Sequence, residues 1–431
     1  MTVEFQGANV RDPVPLGGHT GHMRAPVLAA LATLALLTLN ACTASDAAPS
    51  ASPSAPPAAE AGGTGGTAEV FTPIVGAALA PPEAVPSTDG LTHLAYELLL
   101  TNVLGQAVTL DAITVLGDDA ELLRLEGDEL AAWMRPLGGS APARVLTAGQ
   151  QGIVYLDVTV PTPEDAPAAL SHVIELTPET AIPPVVEKPM TETIAVTSVA
   201  ASAPIVIGSP VRGAGWLDGN SCCAVTPHRT AVNPVNGTLH APERFAIDFV
   251  QLDAAGRIVG GALDELASYD YYGADILAVG DGPIVSMGWD LPEERPGKNP
   301  SGLALAAYGG NHIVQDLGGG RFAFYAHLQG GNPEGLAVGQ SLTRGEVIGA
   351  LGNSGNTDMP HLHFHIMDSP LPLSSNGLPF LIESFTLAGT VSDADLTACM
   401  TASVPCAVDD SDGGARTETS PLYRDVLDFG G

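Results

Sequence analysis

The chain has 431 residues, room for two or three domains, and 45% of them are hydrophobic, enough for a sizeable core. Only 15% are charged, while 50 glycines and 36 prolines cut the chain into short segments; this speaks against long helices and reads as mainly β. A formal net charge of −32 repels nucleic-acid phosphates and so argues against a nucleic-acid partner; its plain reading is solubility.

In chain order, Arg24 precedes the apolar run "APVLAALATLALLTLNA" (25–41), and small residues follow, the layout of a secretory signal. Met23 offers a start that leaves a conventional short basic region. Leu39-Asn40-Ala41-Cys42 resembles a bacterial lipobox, with Asn40 an unusual member, and implies that Cys42 carries a lipid anchor into the membrane. An uncleaved membrane anchor of similar reach is the alternative. Residues 1–42 are thus a signal or lipoprotein segment, and the rest is expected outside the cytoplasm, in the cell envelope. Residues 43–68, Ala/Ser/Pro/Gly with almost no bulky side chains, have nothing to offset the entropy of ordering and read as a flexible tether.

Residues 69–200 hold alternating segments. "HLAYELLLTN" sets Leu94, Tyr96, Leu98 and Leu100 on one face, and "GIVYLDVTV" does the same with Val154, Leu156, Val158 and Val160. Period-two strands between turn residues predict a β-sandwich-like domain, interrupted by one helical candidate, "DELAAWM" (128–134). No chemistry is visible there: His93 and His172 stand alone and read as structural, and the domain's role stays open between spacer, wall-binding unit and lid. Residues 190–210 read as the connection to a second, antiparallel-sheet domain over 205–390, with 391–431 as a C-terminal extension. Setting Cys42 aside leaves Cys222, Cys223, Cys399 and Cys406, an even count that suggests disulfides in an oxidising compartment. Cys399 and Cys406 close a short loop; a Cys222–Cys223 bond would be strained, and three connectivities stay open.

The second domain carries seven of the 11 histidines: His228, His240, His312, His327, His361, His363 and His365. In "GNSGNTDMPHLHFHIM", a strand places His361, His363 and His365 on one face at a spacing of about 6–7 Å, with Leu362, Phe364 and Ile366 on the other. A rigid His-x-His strand is a good metal-ligand unit, and the bland alternative is a polar strand face. The surrounding motifs, in order, are "YAHL" (325–328), "VGQSLTRGEVIG" (338–349), "GNSG" (352–355) and "PHLHF" (360–364), preceded by "YGADILAVGDGPIVSMG" and "GGNHIVQDLGGGRFAF". Over about residues 244–368 this series resembles the lysostaphin/LytM-type zinc metallopeptidases. The resemblance implies a Zn2+-dependent endopeptidase acting on the peptide stems and cross-links of bacterial peptidoglycan. It implies His363 and Asp248 as metal ligands, with His327 and His361 as acid/base and oxyanion-stabilising groups.

The sequence departs from that pattern at one ligand. Four positions before Asp248 the family has histidine, and here stands Arg244, which has no lone pair to give a metal. His228, behind the Cys-Cys pair, is the preferred replacement, and His240 in "NGTLHAPE" is the alternative. His312 reads as structural, and His365 as a neighbour of the site or outside it. A catalytic zinc needs three protein ligands and an open position, and two imidazoles with one carboxylate meet that need. A catalytically inactive module that binds or activates other wall hydrolases is the rival reading. A lipoyl-type carrier barrel is a third, and it finds no modifiable lysine, since Lys188 and Lys298 lie away from the hairpin.

Overall fold

A computed structural model describes residues 69–430 apart from 140, 141, 332 and 334. The apolar run 25–41, Cys42 and the tether 43–68 lie outside the described residues. From Phe71 onward the described chain forms one compact unit. It is mainly β, as expected, and among the described residues no helix is long and apolar enough to cross a membrane.

Two five-stranded sheets come first. In one, Thr92–Asn102 pairs antiparallel with Gln151–Val160; in the other, Val108–Gly117 pairs with Ala169–Pro178. The alternation read from the sequence sets the packing. Leu94, Tyr96, Leu98, Leu100, Val154, Leu156 and Val158 are fully buried and meet Leu110, Ile113, Val115, Ile174 and Leu176 of the second sheet in one core. The helical candidate forms as Gly127–Ala132. His172 is structural, bonded to the Tyr96 hydroxyl at 2.8 Å, and His93 sits between Asp157 and Asp89.

The expected connection, 190–210, is shorter than the sequence suggested. Met190–Ser198 is an edge strand on Ala169–Pro178, its alternation broken by a bulge between Ile194 and Thr197, which hid it. Ile205–Ile207 already belongs to the next sheet, parallel to Phe380–Val391.

That sheet has 13 strands. Its centre runs Gly213–Gly219, Ile247–Gln251, Leu362–Met367, Arg321–Leu328, Asn311–Gly318. Leu362, Phe364 and Ile366 enter one core with Ile247, Phe249, Ala323 and Tyr325. The stretch 391–431, expected as an extension, completes this sheet: Asp425–Phe429 lies between Phe380–Val391 and Gly213–Gly219. Val426 and Leu427 are both buried, so the strand has no polar face and no period-two signature. Two disulfides form, Cys222–Cys223 and Cys399–Cys406; the vicinal pairing disfavoured from sequence is the one present.

Candidate metal centre

The opposite face of the central strands carries the polar cluster. Cross-strand partners share a face, and Asp248 lies directly opposite His363. Asp248 Oδ1 is 3.0 Å from His363 Nδ1 and 3.3 Å from His361 Nε2, while Oδ2 is 3.2 Å from His228 Nε2. Donor atoms of His228, Asp248 and His363 lie within 4.8 Å of one another, and so do those of His327, His361 and His363. The five side chains expected from sequence therefore converge, and His228 rather than His240 lies within the cluster. His240 closes a small hairpin, Asn233–Val235 with Thr238–His240, and belongs to neither donor group.

The second nitrogen of each ring fixes what the first offers. Backbone carbonyls only accept, so Nδ1–H of His228 donates to Ala246 O (3.1 Å), that of His327 to Ser354 O (2.8 Å) and that of His361 to Met359 O (2.8 Å). In its neutral form each of these rings carries its lone pair on Nε2, and for His361 the facing Asp248 favours a proton there. His363 is reversed: Nδ1 faces Asp248, and Nε2 lies 3.0 Å from His365 Nδ1. These anchors preset tautomer and ring orientation, as metal-ligating histidines require. The donor chemistry of His228 Nε2, Asp248 and His363 Nδ1 thus fits a divalent cation such as zinc. A third group, His93, Asp157 and Cys223, does not, because Cys223 is disulfide-bonded.

His327 reaches the cluster through a local irregularity. Along Arg321–Leu328, Ala323 and Tyr325 point into the core, and strict alternation would send His327 after them. Instead His327 has φ +61°, and the register shifts between the Asn311 and Ile313 pairings. Leu328 takes the core place, and the His327 ring lies 4.6 Å from that of His361, centre to centre. A left-handed non-glycine residue costs about 1–3 kcal/mol and is typical of functional sites.

The "GNSGNT" loop braces these rings. Ser354 Oγ donates to Leu328 O (2.7 Å) and accepts from Asn311 N (2.9 Å), and Thr357 donates to Asn353 Oδ1 (2.8 Å). Gly310 (φ +62°) permits the approach, since a Cβ there would stand 2.1 Å from Ser354 O, the atom that holds His327. Asn353, Ser354 and Thr357 were not singled out from the sequence, although the loop motif was. Also missed was Asn220, whose side-chain NH2 donates to Asp248 Oδ2 at 2.8 Å.

All five residues are 3 to 7% exposed, so their charges act in a poorly screened medium. Burial alone would raise the Asp248 carboxyl, but His228 and His361 hold it well below its usual range. His327 is pushed well down by burial, then by His361 and His363; His361 is raised despite its burial, because Asp248 faces it. His365 is pushed well down, mainly by burial, and its Nε2 has no hydrogen-bond partner among the described residues.

Among solved structures, the catalytic domain of lysostaphin from Staphylococcus simulans aligns at 21% identity over 38% of this chain and 86% of its own, with a TM-score of 0.21. A zinc-containing peptidase from Vibrio cholerae aligns at 14% identity over 64% of this chain and 77% of its own, with a TM-score of 0.20. No curated protein matches the chain. The model of peptidase family M23 matches residues 268–375, a span that takes in His327, His361 and His363 and leaves His228 and Asp248 on its amino-terminal side. Residues 268–375 thus match peptidase family M23, and the motifs in and around them resemble its lysostaphin/LytM type.

Proposed function

We propose that this protein is a zinc-dependent endopeptidase that cuts peptide cross-links of bacterial peptidoglycan. The carrying observation is the convergence of His228 Nε2, Asp248 and His363 Nδ1, each imidazole anchored through its other nitrogen. When bound there, zinc supplies Lewis-acid polarisation of a carbonyl and a lowered pKa for water. His228, Asp248 and His363 would hold the ion. Beside them, His327 and His361 present free Nε2 atoms, fixed by carbonyl bonds at Nδ1. One of the two rings, protonated at Nε2, would donate to the developing oxyanion, and the other, neutral, would take a proton at Nε2 from the attacking water and pass it to the departing amine. The near-complete burial of the five side chains keeps these dipoles effective and excludes competing bulk water.

The peptidoglycan substrate and the extracytoplasmic setting rest on the family resemblance, the signal-like run 25–41 with Cys42, and two disulfides that favour an oxidising compartment. Lipidation at Cys42 with the tether 43–68 would hold the enzyme beside the wall. The inactive-module reading arose from Arg244 and finds no support in a donor set that has three members without it.

The test is digestion of purified cross-linked peptidoglycan by the protein from residue 69 onward, followed by mass spectrometry of released fragments and zinc analysis of the enzyme. New amine and carboxyl ends at the cross-links with one zinc per chain are expected. Intact cross-links from a zinc-loaded protein would leave the binding-module reading instead.

A further inference from the structure

The sandwich strand Thr92–Asn102 presents its second face to the M23 half of the molecule. Glu97 stands on that face, opposite Tyr96 and Leu98, and is wholly buried. Both of its oxygens are taken by arginines of the other domain. Arg229 Nη1 donates to Oε1, and Arg244 donates through Nε to Oε1 (3.0 Å) and Oε2 (2.9 Å) and through Nη2 to Oε2.

These arginines flank the metal donors. Arg229 follows His228, and Arg244 lies four residues before Asp248, with Ala246 between them accepting the His228 Nδ1 bond. Arg229 also donates through Nη2 to Tyr96 O (2.8 Å) and Leu156 O (2.9 Å) of the sandwich, and Tyr155 donates to Thr230 O (3.3 Å). The segment 220–231 that carries His228 contains no strand of its own, and these bonds across the domains act beside those it makes within its own domain, from Tyr423 N to Cys222 O (3.0 Å) and from His228 Nδ1 to Ala246 O. Val85 and Ala95 of the sandwich pack with Cys222, Phe245 and Leu381 beside it. One carboxylate thus holds two buried guanidiniums, whose mutual repulsion would otherwise drive apart the segments bearing His228 and Asp248.

We propose that Glu97 is a positioning residue for the metal centre. Through Arg229 it sets the His228 loop, and through Arg244 it sets the approach to Asp248. The sandwich is then a structural half of the metal site, and Arg244 is the strut of that arrangement. The inference rests on the zinc reading above.

The test measures zinc affinity by chelator competition, and metal-free melting temperature, on the protein from residue 69 onward. Two variants are compared with wild type: Glu97→Gln, and the triple change Glu97→Leu, Arg229→Met, Arg244→Met. Buried ionic triads often exchange for apolar side chains without loss of fold, so the triple variant separates folding from positioning. Partners of metal ligands typically contribute 10- to 100-fold in affinity. At least a fivefold weakening in either folded variant is expected. Affinity within fivefold of wild type in every variant that folds overturns the proposal, whatever the melting temperature does. Failure of both variants to fold overturns it too, since Glu97 would then serve the fold alone. If wild type itself takes up no zinc, the metal reading falls first; a zinc-binding wild type with unchanged variants sinks only the positioning role.

Discussion

Replacing His228 by alanine is the sharpest perturbation of the proposed centre. It removes the Nε2 donor 3.2 Å from Asp248 and leaves Asp248 and His363 as the remaining members of that set. Structural zinc sites with four ligands bind with about 10–16 kcal/mol, or about 3 kcal/mol for each ligand. At about 1.4 kcal/mol per decade, the loss is about a hundred- to thousandfold in zinc affinity. His240→Ala is the matched control, because that side chain ends a hairpin outside both donor groups. Chelator competition on the two purified variants, with calorimetry to establish that both are folded, reads the difference. Wild-type zinc affinity in His228→Ala, or the loss appearing in His240→Ala, would refute the assignment of His228.

His327→Ala should retain full zinc content and lose about 10²- to 10⁴-fold in turnover, checked by metal analysis alongside steady-state cleavage of a cross-linked muropeptide. Arg244→Met leaves the buried Glu97 carboxylate short of one partner and should lower unfolding stability by about 3–5 kcal/mol in urea titration. His93 carries a pH signature: burial would lower its pKa, but Asp157 and Asp89 outweigh that and raise it to about 10. The stability this gives is fully present below about pH 6.5, the unfolded value, and is lost as pH rises through about 10. Urea unfolding measured from pH 6.5 to 10 should therefore show a falling limb that His93→Gln flattens.

The face on which the histidines and Asp248 meet was legible because period two is a strong constraint. Leu362, Phe364 and Ile366 demand a core, so His361, His363 and His365 must turn the other way. The buried strand face of the first sheet was visible for the same reason in Leu94 through Leu100. Other features were hidden by physics that no local pattern carries. Glu97 sits where an amphipathic strand usually meets water, and only the arginines supplied 132 and 147 residues later make its burial tolerable. His327 follows a regular strand pattern until its left-handed backbone reverses the alternation, and no glycine stands at that position or directly beside it to announce the turn. Arg244 signalled a departure at one ligand position, and the sequence named His228 ahead of His240 without showing the path, since residues 220–231 form a strandless loop with no periodic pattern to read.

The pairing of Asp425–Phe429 with Gly213–Gly219 joins positions some two hundred residues apart in the chain. Such distant contacts close late and slow the approach to the native state. A nascent polypeptide stopped at residue 420 would present two raw sheet margins where that final strand belongs, each open to chance partners. Shortening this end therefore strikes the middle of the fold, and affinity handles placed there need a spacer that leaves the last strand free to dock.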